Sequence, residues 1–328
     1  EKECKVNVYF NDYQPKKFIY REEIKPILRK NIFNSLLAIK KLIKLRKWKK
    51  KYIKIKPSTS FKIITKEENS FSFYGSDEIW NFNNPFFGFD PYFFGKSNSN
   101  IKFSYAASFG NGASKEVPGD LHIELKNYFD NFKNISVRDL SSYNFLKKNF
   151  NIESEIVLDP IFLVDNDFEL INEKKLDTQL DKYCLIYGQY FSKNEIETIT
   201  NFSKKNKLKI VSIGYFNKWA DKNFIDASPT DFINYFKFAD YIFTSMFHGV
   251  LFSIKYNKTF WFTIDPYRIN KLDHILKTLN ISDRLLKTNV SSENKLDYSE
   301  INSKIEIQKK NSKEFINKCI KDYLANDK

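Results

Sequence analysis

From Tyr183 onward, short β-type apolar runs alternate with longer helical patterns, and this constrains the fold more than any other feature of the chain. Strands are expected at 183–188, 208–213 and 259–264, and helices at about 193–206 and 269–279. Ser228-Pro229 supplies an N-cap and a first-turn proline for a helix between them. Strands separated by helices at this spacing fold as a parallel sheet with Rossmann-like topology. Residues 299–325 form a long amphipathic terminal helix.

Within that series, 241–254 reads Y-I-F-T-S-M-F-H-G-V-L-F-S-I. A strand, a hydroxyl-bearing turn and a helix start place His248 at the carboxyl edge of the sheet, where open α/β sheets bind ligands. A helix start also offers unpaired N–H groups and a positive dipole end to phosphate or carboxylate. A histidine satisfied inside the core is the alternative.

The first half carries shorter signals. Residues 4–10 alternate like a strand, and 71–81 (F-S-F-Y-G-S-D-E-I-W-N) is an aromatic strand that turns at Ser76-Asp77. The Asp77 carboxylate sits in a turn beyond that strand, where capping a following helix is its structural use. The aromatic loop 82–94 forms a ligand wall or a lid on the core. Ile101 to Gly110 is a strand running into small residues, which allow a ligand close to the backbone. After a helix near 119–130, Arg138 follows a short strand, where a guanidinium can grip a carboxylate or phosphate bidentately. Surface pairing with Asp139 is the alternative. Residues 155–160 (E-I-V-L-D-P) make a further strand, and the charged stretch 164–181 reads as a domain boundary.

At 328 residues, two domains are expected. The division is 1–165, 166–300 and a terminal helix at 301–328. The net charge of +14 calls for an anionic partner. Ten Lys or Arg fall between Lys40 and Lys56 within a helical pattern spanning 22–56. Such a segment lies on an anionic membrane or is a solvated basic face. No nucleic-acid motif accompanies the charge. Cys4, Cys184 and Cys319 have no metal-ligand or disulfide spacing, which fits a reducing cytoplasm. No run is long enough to span a bilayer, and no signal-peptide core is present. GxGxxG, P-loop, HExxH and GxSxG motifs are missing too.

Five segments in order resemble the polysaccharide pyruvyl transferases: G-S-D-E-I-W-N (75–81), S-Y-A-A-S-F-G (104–110), I-S-V-R-D (135–139), L-D-P-I-F-L (158–163) and T-S-M-F-H-G-V-L-F-S-I (244–254). Y-R-I-N-K-L-D-H-I-L (267–276) and Asp283-Arg284 extend the likeness. The resemblance implies an α/β fold of two Rossmann-like domains facing a cleft, as in GT-B glycosyltransferases. It implies phosphoenolpyruvate as donor and a sugar of a surface glycan, or its lipid-linked precursor, as acceptor, with no obligatory metal or cofactor. His248 matches the family's general acid, and Arg138 a donor-binding arginine. Ser245, Gly249 and Arg268 are expected beside the donor, with Ser76, Tyr105 and Ser108 toward the acceptor. Asp77 would accept a proton from the attacking hydroxyl or hold the sugar. The resemblance also implies a strand and an Asn/Gly-containing loop ahead of residues 5–15, and Glu1 lies past them. The competing functions are a nucleotide-sugar glycosyltransferase on the same fold and a catalytically inactive family member.

Overall fold

The structure is a computed structural model describing residues 32–52, 71–86, 88–96, 101–164, 182–263, 269–288 and 290–326, together with Lys25. The strand expected at 4–10, Cys4, most of the boundary at 164–181, and Arg268 lie outside the described residues. Among the described residues there are ten strands and eight α-helices.

Five strands form the larger sheet: β6 (Tyr183–Tyr187), β7 (Lys209–Ile213), β8 (Lys222–Phe224), β9 (Tyr241–Thr244) and β10 (Thr259–Phe262). All pair in parallel, in the order β10-β9-β6-β7-β8. The chain winds outward from β6 to β8, then returns to the other side of β6 with β9. The crevice between the carboxyl ends of β6 and β9 is therefore a topological switch point, the usual ligand site of such sheets. Helices α4 (Lys193–Lys205) and α5 (Pro229–Phe238) precede β7 and β9. Each starts with a capping box, Ser192 with Glu195 and Ser228 with Asp231, so orphan N–H groups are satisfied locally. The strand β8 was not expected; it is three residues of half-buried edge and carries no apolar run.

The first sheet is parallel as well. β1 (Phe71–Tyr74), β2 (Ile101–Ser104) and β3 (Phe132–Asn134) pair in that order, and β4 (Ser136–Val137) pairs with β5 (Glu155–Ile156). Single-residue bridges Asp77–Ala107 and Ala107–Val137 carry pairing past the ends of β1 and β2. Ser104 and Ser136 exchange side-chain and main-chain hydrogen bonds of 2.9 Å at this junction. Behind the sheet, Trp80, Phe94, Phe109 and Phe129 form a fully buried aromatic core beside α2 (Gly119–Phe129) and α3 (Leu140–Phe150). Phe82 and Phe94 of the aromatic loop are buried there, and Trp80 Nε1 donates to Phe93 O at 3.0 Å. These rings roof the core.

The remaining helices are α1 (Ile32–Tyr52), α6 (Phe247–Lys255), α7 (Ile269–Leu279) and α8 (Tyr298–Asn326). At 29 residues, α8 is about 43 Å long. Ile301 and Ile305 at its start pack into the core of the larger sheet, while Phe315 and Cys319 pack with Phe103 and Tyr105 of the first. Leu158 N donates to Ser312 Oγ at 2.9 Å, and Asn134 Nδ2 to Asp322 at 2.7 Å. One helix thus joins both cores.

Candidate active site

Four loops converge on Arg138. Its guanidinium, 2% exposed, donates from Nη2 to Asp77 Oδ1 at 2.8 Å and from Nη1 to Asp159 Oδ2 at 3.1 Å. Its other face lies 4.4 Å from the centre of the Phe247 ring. Burial opposes the charge, but Asp77 and then Asp159 outweigh it and raise the pKa above the usual arginine value. The Nε atom is buried with no partner, a donor left for something else.

Each group sits past the carboxyl end of a strand: Asp77 after β1, Arg138 after β4, Asp159 after β5, His248 one turn after β9. Asp77 is held at φ 67° by its bridge to Ala107, and its carboxylate is 58% exposed. Gly75 before it has φ 139°, and a Cβ there would come within 1.9 Å of Tyr105 O, so only glycine lets the turn pass so close. Asp159, 8% exposed, accepts from Ile161 N at 3.1 Å, which caps the short helix Pro160–Phe162 and fixes the carboxylate. Asp139 caps α3 by accepting from Ser142 N at 2.8 Å, and Ser108 Oγ donates to it at 2.6 Å.

His248 is brought in by α6. Its Nε2 lies 3.9 Å from Asp159 Oδ2, and its side chain is 40% exposed. Thr244 Oγ1 donates to Tyr187 O at 2.7 Å and accepts from Met246 N at 3.0 Å. Ser245 Oγ donates to Gln189 O at 2.7 Å. Thus β6 and β9 are laced together at the switch point. A Cβ on Gly249 would come within 2.0 Å of Thr244 Oγ1, so glycine lets α6 start against this turn. The first N–H groups of α6 have no acceptor within the helix and carry its positive dipole end.

The expected site residues therefore divide. His248, Arg138 and Asp77 come together around Asp159, and Ser245 and Gly249 shape the turn beneath His248. Tyr105 is buried, donates its hydroxyl to Leu158 O at 2.8 Å, and burial pushes its pKa well up. Ser108 is buried under Asp139, and Ser76 stays half-exposed in the turn before Asp77. Sequence reasoning quoted L-D-P-I-F-L but gave Asp159 no role, and it passed over Phe247. His274 on α7 was also missed; burial lowers its pKa, with Asp139 and Asp273 opposing. Among the described residues, no group of three or more His, Cys, Asp or Glu is placed to hold a metal ion.

Parallel sheets with flanking helices define a Rossmann-like α/β protein, and its strand ends gather an arginine, two carboxylates and a histidine. A family model described as polysaccharide pyruvyl transferase matches residues 2–264, and the chain belongs to that family. It is therefore a transferase, with a role in pyruvyl transfer in polysaccharide synthesis and a polysaccharide acceptor. A comparison with curated proteins found no match.

Proposed function

We propose that the protein transfers the enolpyruvyl group of phosphoenolpyruvate to two hydroxyls of one sugar in a surface polysaccharide or its lipid-linked precursor. The product is a cyclic pyruvate ketal, and phosphate is released. The link from Arg138 through Asp159 to His248 carries this reading. Protonation of the donor's methylene carbon makes an oxocarbenium-like centre at C2. Histidine suits that step because its ordinary pKa is near neutrality. One sugar hydroxyl adds to C2, phosphate leaves, and the second hydroxyl closes the ketal. Each hydroxyl gives up its proton. The scheme uses no metal or cofactor.

The donor's anionic groups need cations and N–H donors. The unpartnered Nε of Arg138 and the start of α6 supply them. Arg138 Nη2 is taken by Asp77, the more exposed of its two carboxylates. An incoming carboxylate or phosphate displaces Asp77 there, and the released Asp77 then accepts a proton from the attacking hydroxyl. Ser245 and Gly249 hold the donor turn, and Arg268 is a further arginine assigned to the donor. Ser76 faces the acceptor, while Tyr105 and Ser108 act by fixing strand ends. The arrangement is GT-B-like, with the acceptor on the first Rossmann-like domain and the donor held between Arg138 of that domain and the start of α6 in the second. Phosphoenolpyruvate is a cytoplasmic metabolite, which puts the reaction in the cytoplasm.

Purified protein is mixed with phosphoenolpyruvate and a panel of glycan acceptors, and phosphate release is followed. Release that needs an acceptor and is lost in His248→Ala supports the proposal. Protection of the fold by nucleotide sugars but not by phosphoenolpyruvate points instead to glycosyl transfer, and unchanged biological activity of His248→Ala to a non-catalytic role.

A further inference from the structure

Helix α1 is anchored along one side by two ion pairs and a hydrogen bond. Lys40 and Lys44 pair with Asp226 at 3.1 and 2.9 Å, and Trp48 Nε1 donates to Thr230 Oγ1 at 2.9 Å. Leu36, Ile39, Ile43, Lys47 and Lys50 are all exposed, and their spacing puts them on one continuous stripe of the helix. Leu36 is 59% exposed and Ile43 49%. Exposed apolar side chains at one end of a stripe, lysines at the other, and no acidic residue anywhere in the helix is a surface unlike an ordinary solvated face. A solvated basic face does not need three large aliphatics turned outward together. Among the described residues no helix is long and apolar enough to cross a membrane, so this helix can only lie along one.

The anchoring side also fixes where the stripe is. Asp226 lies two residues beyond the end of β8, and Ser245 directly follows β9. Both strands run parallel in one sheet, so both residues are at its carboxyl edge. Three strand spacings separate them, about 14 Å laterally. Helix α1 is thus pinned to the edge that carries His248.

We propose that the exposed stripe of α1 docks on an anionic lipid surface and so presents the carboxyl edge of the larger sheet to an acceptor carried on that surface. The aliphatic side chains enter the headgroup boundary, and Lys47 and Lys50 of the same stripe meet the lipid charge. The presentation of an acceptor rests on the pyruvyl-transfer reading; the lipid docking does not.

The full-length protein is sedimented with phosphatidylcholine vesicles, with and without about one-third phosphatidylglycerol. Binding is expected only to the anionic vesicles and weakens as salt rises. Each lysine at such a surface contributes about fivefold in partition. The variant with Lys47 and Lys50 both changed to Gln is therefore expected to lose about 25-fold. Leu36→Ser with Ile43→Ser is expected to weaken binding to the anionic vesicles at low salt as well. Both variants are expected to keep the wild-type melting temperature and phosphate release with a water-soluble acceptor. Equal binding to neutral vesicles, unaltered binding by the lysine variant, or retention of duplex DNA in place of vesicles overturns the proposal. If vesicle binding follows the expected pattern but phosphate release is absent throughout, the docking stands and the pyruvyl-transfer reading fails.

Discussion

The carboxylate of Asp159 stands between Arg138 and His248, its Oδ2 3.1 Å from Arg138 Nη1 and 3.9 Å from His248 Nε2. The first sheet supplies the arginine and the aspartate, the second the histidine. Neither side chain is positioned by its own strand alone, so the donor site depends on both sheets at once.

Asp159→Asn keeps the shape and can still accept from Ile161 N, but removes the negative charge that faces Arg138 and His248. Turnover is expected to fall about 10- to 100-fold, less than the roughly 10²–10⁴-fold expected for removing the acid in His248→Ala. Steady-state kinetics on both variants, with melting temperature as a control, checks this. A large loss of stability with normal turnover in the folded fraction would leave Asp159 only a structural part.

Asp77 has the opposite signature if it competes with the donor for Arg138. In Asp77→Asn the guanidinium is freed of its more exposed anion, so the donor's KM should fall several-fold. The attacking hydroxyl also loses its proton acceptor, so kcat should fall about 10²-fold. Separate measurement of KM for phosphoenolpyruvate and kcat decides it; a raised KM would mean that Asp77 helps to bind the donor.

Much of this arrangement was legible in the chain. The strand–helix alternation after Tyr183 and the cap at Ser228 are local, and local signals survive folding. Arg138 after a short strand was legible for the same reason. The role of Asp159 was not, because its partners come from other strands and from α6, and no periodicity encodes such a meeting. Tyr105 and Ser108 follow a strand whose alternation does not say which face meets the core. In the fold Tyr105 turns in, to Leu158 O, and Ser108 to Asp139. The strand β8 is too short and polar to leave a pattern.

Gly249→Ala tests the fit beneath His248. The added methyl would lie 2.0 Å from Thr244 Oγ1, which is already bonded to Tyr187 O and Met246 N. Overpacking of this kind costs about 1–3 kcal/mol. Thermal unfolding should show that loss, and kcat should drop further because α6 must shift to relieve the contact. An alanine variant as stable and active as the wild type would mean that the turn is looser than drawn.

His274 gives the pH dependence a direction. Burial lowers its pKa below the ordinary 6.5, and the nearby Asp139 and Asp273 only partly offset this. Above 6.5 the imidazole is neutral whether the chain is folded or not, and it contributes no pH dependence. As pH falls below that value, the unfolded chain takes up a proton that the folded chain still refuses, so stability declines until the folded-state pKa is passed. Most carboxylates titrate at lower pH, so the interval just below 6.5 is where histidine titrates, and the comparison with a His274 variant singles out this one. Melting temperatures of wild type and His274→Gln, compared at about pH 7 and about pH 5.5, should show a smaller acid-side loss in the variant. An identical loss in both would place the titration elsewhere.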